Sequence, residues 1–147
     1  MTQSLIDHLN QELATAWVIG FNAKHYHWNV SGPNFRDYHL RFDELYTAVE
    51  ATVDELAERI RMLGGSPIHT PAQMEAQSAV EPSAPTARLT AKGMVAEALA
   101  SEERAIHLLH TGIELADRDN DPGTADLLTR FVQIHQKEAW FLREMAA

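Results

Sequence analysis

Four long stretches of this chain repeat apolar residues every three or four positions, and Gly or Pro cuts them apart. That spacing is the period of an amphipathic helix, and no strand-type alternation competes with it. The first run spans about residues 4–30, with Leu5, Leu9, Leu13, Ala16, Gly20, Ala23 and His27 on one face, and Ser31-Gly32-Pro33 stops it. The second spans about 34–63, with the stripe Tyr38, Phe42, Leu45, Val49, Val53, Leu56, Ile60 and Leu63, and Gly64-Gly65-Ser66-Pro67 ends it. The third spans about 90–116, with Val95, Leu99, Ile106, Leu109 and Ile113 on one face, and Asp117 to Gly123 breaks it. The fourth takes Asp121 as cap and Pro122 at its first position, and runs to about 145 through Leu127, Phe131, Ile134, Phe141 and Met145.

Between the second and third runs the composition changes. Residues 66–88 hold four of the six prolines, Pro67, Pro71, Pro82 and Pro85. This is too long for a simple turn, and the stretch from Pro71, capped by Thr70, predicts a short helix inside it. The expectation is an all-α fold: two helical hairpins joined by a long crossover, in one domain over residues 1–147.

Charge and cysteine content narrow the function. A net charge of −9 repels free nucleic acid unless a basic patch offsets it, and no patch is evident. The first 23 residues hold no Lys or Arg, and the last ten hold only Arg143. Cysteine is absent, which excludes disulfides, thiolate zinc sites and a cysteine nucleophile, and fits a reducing cytoplasm. No signal-peptide pattern and no run of about eighteen apolar residues is present.

The chemistry is concentrated on the second helix. At 100° per residue, with His39 at zero, Asp43 falls at about 40°, Asp54 at about 60° and Glu58 at about 100°, away from the apolar stripe. His39 and Asp43 are four apart, as are Asp54 and Glu58, so each pair can converge on one ion. The pairs lie eleven residues apart, about 16 Å along the axis, too far for one metal. Within one chain each pair is half a site. Residues 39 and 58 share the midpoint 48.5 with residues 43 and 54. A second copy of the helix, antiparallel across a two-fold axis at that midpoint, sets His39 level with Glu58 and Asp43 level with Asp54 of the other copy. His27 then reaches in from the end of the first helix. Two imidazoles and three carboxylates suit iron or manganese and tolerate zinc. No Glu stands three residues before any of the eight histidines, so the Glu-x-x-His signature of a di-iron site inside a bundle is missing.

The run His27-Trp28-Asn29-Val30-Ser31-Gly32, with Phe35, His39, Phe42-Asp43, Tyr46, Asp54 and Ala57-Glu58-Arg59, resembles the Dps family, the DNA-binding proteins from starved cells or mini-ferritins. The match extends over nearly the whole chain, and Thr124-Ala125-Asp126, Lys137 and Trp140 add to it. The resemblance implies a ferritin-like four-helix bundle with a short helix in the crossover between helices two and three. It also implies a hollow homo-dodecamer built from two-fold dimers, Fe(II) oxidation at the dimer interface with hydrogen peroxide preferred, ferric mineral in the cavity and protection against oxidative damage. His27, His39 and Asp43 would come from one chain, Asp54 and Glu58 from its neighbour. Trp28 would sit beside the site as a radical trap, and Asp117 and Asp126 would line a three-fold pore for Fe(II).

The family's DNA binding transfers poorly, because basic arms are missing at both ends. Two other readings stand beside the ferroxidase: a DNA-compacting nucleoid protein, and a metal-buffering shell holding zinc with little turnover. The remaining residues are assigned blander roles. His25 is expected exposed, and His107, His110 and His135 packed in core or surface. Trp17 and Trp140 belong to core or interface. Met62, Met74, Met94 and Met145 belong to packing. Asp119 and Asp121 serve capping and solubility.

Overall fold

The computed structural model describes residues 2–84 and 89–147. Four long helices, α1 (Thr2–Asn29), α2 (Phe35–Met62), α4 (Ala91–Arg118) and α5 (Pro122–Ala146), form the fold, and a short α3 (Pro71–Gln77) in the crossover packs on α1, with no strand among the described residues. The expected bundle and crossover are present. Pro85, one of the four crossover prolines, lies outside the described residues.

Each boundary follows from local chemistry. The α1–α2 hairpin turns at Gly32, whose φ of 97° is open to glycine at little cost, and Gly64 at 89° closes α2 in the same way. Thr70 caps α3 through a reciprocal capping box with Gln73, and Pro71 occupies the first turn, where its missing N–H costs nothing. Asp121 caps α5 by accepting from the Thr124 N–H. Arg59 donates to Asp121 and to Thr124 Oγ1, both at 2.8 Å, and so ties the end of α2 to the start of α5.

The crossover is latched by polar residues on the inner side of α1. Asn10 donates to the Ser66 carbonyl and accepts from the Ile68 N–H. Thr15 accepts from the Ala79 N–H, and Asn22 donates to the Glu81 carbonyl and accepts from the Ser83 N–H. These bonds satisfy loop backbone groups that burial would otherwise leave without partners. They explain why α1 keeps Asn10, Thr15 and Asn22 buried.

The α2 stripe is as expected: Phe42, Leu45, Val49, Val53, Leu56 and Ile60 are buried, and Tyr38 and Leu63 pack partly against them. The faces of α4 and α5 differ from expectation by about one position. On α4 the buried line is Val95, Ala98, Glu102, Ala105, Leu109 and Gly112, whereas Leu99, Ile106 and Ile113 are half-buried flanks. On α5 it is Leu128, Phe131, His135, Glu138 and Leu142, with Leu127 and Phe131 buried as expected and Ile134 and Phe141 to the side. Small and ionisable residues occupy the core here, and an apolar count does not see them. Met74 and Met94 are buried as expected, but Met62 is 68% exposed. No helix among the described residues is long and apolar enough to cross a membrane.

Candidate metal centre

His27 closes the last turn of α1, and His39 lies in the second turn of α2, across the hairpin. Their rings stack, with centroids 3.7 Å apart and planes 14° from parallel. His27 Nδ1 lies 2.6 Å from the His39 carbonyl oxygen, and His39 Nδ1 lies 2.6 Å from the His27 carbonyl oxygen. A carbonyl only accepts, so each Nδ1 carries the proton and donates. That fixes both tautomers and leaves both Nε2 lone pairs free, the state a metal ligand requires. Phe35 stacks on the other side of His39 at 5.1 Å and limits its rotation.

Asp43, one turn beyond His39, is half-exposed and bonded to Lys24 Nζ at 2.6 Å. That hydrogen bond and the Lys24 charge outweigh partial desolvation and hold the carboxyl below its usual range. Lys24 also sits 4.5 Å over the Tyr46 ring, which fixes its direction. Asp54 and Glu58 are exposed three turns further along α2. A hydrogen bond shared with Asp54, then the Asp54 charge, raise the Glu58 carboxyl above its usual range.

The five residues therefore form two groups: His39 and Asp43 with His27 of α1 at one end of α2, Asp54 and Glu58 towards its other end. Among the described residues no three His, Asp or Glu side chains of one chain converge as a metal site. Trp28, beside His27, is 71% exposed, with its ring outside this chain's core. Asp117 and Asp126 are both exposed at the α4–α5 junction, while Asp121 is held by Thr124 and Arg59. His25 is half-buried and not exposed as expected: its ring lies against Tyr26 at 5.8 Å, and Asn29 Nδ2 is 3.3 Å from its Nδ1. His107 and His110 lie on the surface.

Sequence reasoning gave no role to Lys24, and left His135 as simple packing. His135 is buried on α5 with Nδ1 hydrogen-bonded to Glu102 of α4. The signal was available: both residues fall at helical spacing inside otherwise small or apolar faces.

A family model for the ferritin-like domain matches residues 6–147. DNA protection during starvation protein 2 of Bacillus anthracis is 36% identical and covers 97% of either chain. The crystal structure of Dps from Thermosynechococcus elongatus superposes with a TM-score of 0.95 at 46% identity, covering 99% of this chain and 91% of that one. Dps from Vibrio cholerae, described as a member of a broad superfamily of ferritin-like diiron-carboxylate proteins, gives 0.93 at 28% identity, with 99% and 91% covered. With five helices in the expected order, this match over nearly its whole length and these relatives, the chain belongs to the ferritin-like proteins and, among them, to the Dps family.

Proposed function

We propose that this protein stores iron and acts as a ferroxidase, with each oxidation site shared between two chains of a dodecameric shell. The observation that carries the reading is the reciprocal His27–His39 lock. It leaves two imidazole Nε2 atoms aimed away from the backbone beside Asp43, while Asp54 and Glu58 stand exposed one turn apart further along α2. An antiparallel pairing of two α2 helices centred between residues 48 and 49 brings each half-site to its complement. Fe(II) is the substrate there. The carboxylates favour Fe(III) over Fe(II), and the imidazoles hold Fe(II) while it is oxidised.

Hydrogen peroxide is the preferred oxidant in this reading. Its O–O bond breaks as two Fe(II) give up one electron each, and two protons are taken up to release two waters. Peroxide and Fe(II) are thus consumed together, which limits oxidative damage. Trp28, next to His27, is placed to be oxidised when a stray radical forms. Asp117 and Asp126 line the entry path for Fe(II). Zinc and manganese occupy the same donors as competitors, and the setting is the cytoplasm.

The test is anaerobic addition of Fe(II) and peroxide to the assembled protein, followed by ferric absorbance. His39→Ala and Asp54→Ala each slow the reaction strongly. Reassembly of the two variants together restores part of the activity, because some interfaces then carry one intact site. Recovery no better than that of either variant alone defeats the shared-site reading. Rapid zinc binding without ferric product supports the metal-buffering shell. DNA compaction is disfavoured by the acidic balance. Tight, salt-sensitive retardation of DNA in a gel at low salt would reverse that.

A further inference from the structure

The bundle interior holds ionisable groups that the ferroxidase reading does not use. His8 and Glu12 come from α1, Glu102 from α4 and His135 from α5, and all four side chains are at most 10% exposed. His8 Nε2 lies 2.8 Å from the Leu108 carbonyl and 3.2 Å from Glu12 Oε1. Both Glu12 oxygens lack a hydrogen-bond partner, as does Glu102 Oε1. Between the four long helices lies a cavity of about 10 Å³ whose polar walls are Glu12, Thr15, Thr52 and His135. That is about the room one water needs, and a water also needs two or more polar partners. Thr15 and Thr52 already donate to backbone carbonyls of their own helices. His135 spends Nδ1 on Glu102, so Nε2 is its free nitrogen.

We propose that this cavity is a water site, in which one water bridges Glu12 and His135 and joins the His8–Glu12 and His135–Glu102 pairs into one unit holding two protons. Charge balance requires that number. With both carboxylates ionised and both imidazoles neutral, the four groups carry two negative charges in a low-dielectric interior. Two protons cancel them. The other charged groups facing this interior pair with each other: Arg41 of α2 with Glu138 of α5, and with Glu44 at the surface. Arg41 also feels the Glu102 charge, but Arg41 and Glu138 cancel each other, so the two negative charges of Glu12 and Glu102 remain to be offset.

Three shifts have the same sign. Burial pushes the Glu12 carboxyl up to about 7, with His8 and His135 opposing it only partly. Burial alone would lower both imidazoles. Glu12 and the Leu108 carbonyl lift His8 above its ordinary value, and Glu102 and Glu12 do the same for His135. A raised folded-state value gives stability that is complete below the unfolded value and is lost as pH rises through the folded one. The unit therefore weakens the hold of α1 on α4 and α5 as pH goes from weakly acidic to weakly alkaline.

The experiment uses the assembled protein without added iron. Infrared difference spectra of wild type against Glu12→Gln are expected to show a carboxylic-acid C=O band at pH 6 that is lost by pH 9. The wild-type thermal midpoint falls across that range, and that of Glu12→Gln falls less. A high-resolution crystal structure at pH 6 shows one water in the cavity. Absence of the band, parallel midpoint profiles, an empty cavity, or metal density in place of the water would each overturn the proposal. If Glu12→Gln does not assemble, the wild-type band and the cavity's occupant decide alone. None of these readings depends on iron oxidation, so they stand or fall separately from the proposed function.

Discussion

Removing the carboxylate of Glu138 is expected to unsettle the helix that carries His39 and Asp43 without touching either. Arg41, between them in sequence, points to the other side of α2 and pairs with Glu138 of α5. Its side chain is 11% exposed and that of Glu138 is 8%. In Glu138→Ala the guanidinium stays buried and loses its main partner, a loss that costs about 3–5 kcal/mol for a buried pair. Arg41 keeps Glu44 at 2.7 Å, but Glu44 is 63% exposed and the water around it weakens that bond. The lower end, about 3 kcal/mol, is therefore expected. Arg41→Leu/Glu138→Leu removes both charges and fills the space, and is expected to be near neutral or stabilising. The assay is denaturant unfolding followed by circular dichroism at one fixed protomer concentration, since assembly adds to apparent stability. Arg41→Leu, Glu138→Leu and the double variant close a cycle. A Glu138→Ala cost below about 1 kcal/mol, or a double variant as unstable as the single, refutes the reasoning.

Gly112→Ala puts a methyl group into the Glu12 carboxylate and 2.8 Å from Leu128 Cδ1, and overpacking of this kind is expected to cost about 1–3 kcal/mol in chemical denaturation. Asp121→Ala removes the α5 cap and the Arg59 partner together, and a loss of about 1–2 kcal/mol is expected in the same assay. Lys24→Met frees Asp43, whose carboxyl is held low chiefly by that lysine. The acid limb of the ferroxidase pH profile should move to higher pH, and an unmoved limb shows that Lys24 does not set it.

Helix number, order and boundaries were legible because Gly, Pro and capping residues act locally. The Thr70–Pro71 start of α3 and the Asp121–Pro122 start of α5 appear at the expected positions, since a cap is a contact among neighbours in the chain. The α2 stripe was legible for a related reason: its buried positions are large and apolar. The buried faces of α4 and α5 were not, because Glu102, His135 and Glu138 look like surface residues in a one-dimensional pattern and become interior ones only through partners on other helices. The ligand spacing on α2 was read from helical geometry, and two residues four apart on one helix need no tertiary information to share a face.

The sequence by itself determined the helices, their order and the two half-sites along α2, because these depend on periods and on neighbours a few residues away. Only the tertiary structure decided the tautomers of His27 and His39, the partner of Asp43 and the ionisable group between the helices. Those depend on contacts such as His27 to the His39 carbonyl and Glu102 to His135, which bring together residues 12 and 33 positions apart along the chain. No local pattern encodes such contacts; they exist only once the hairpins have closed and packed.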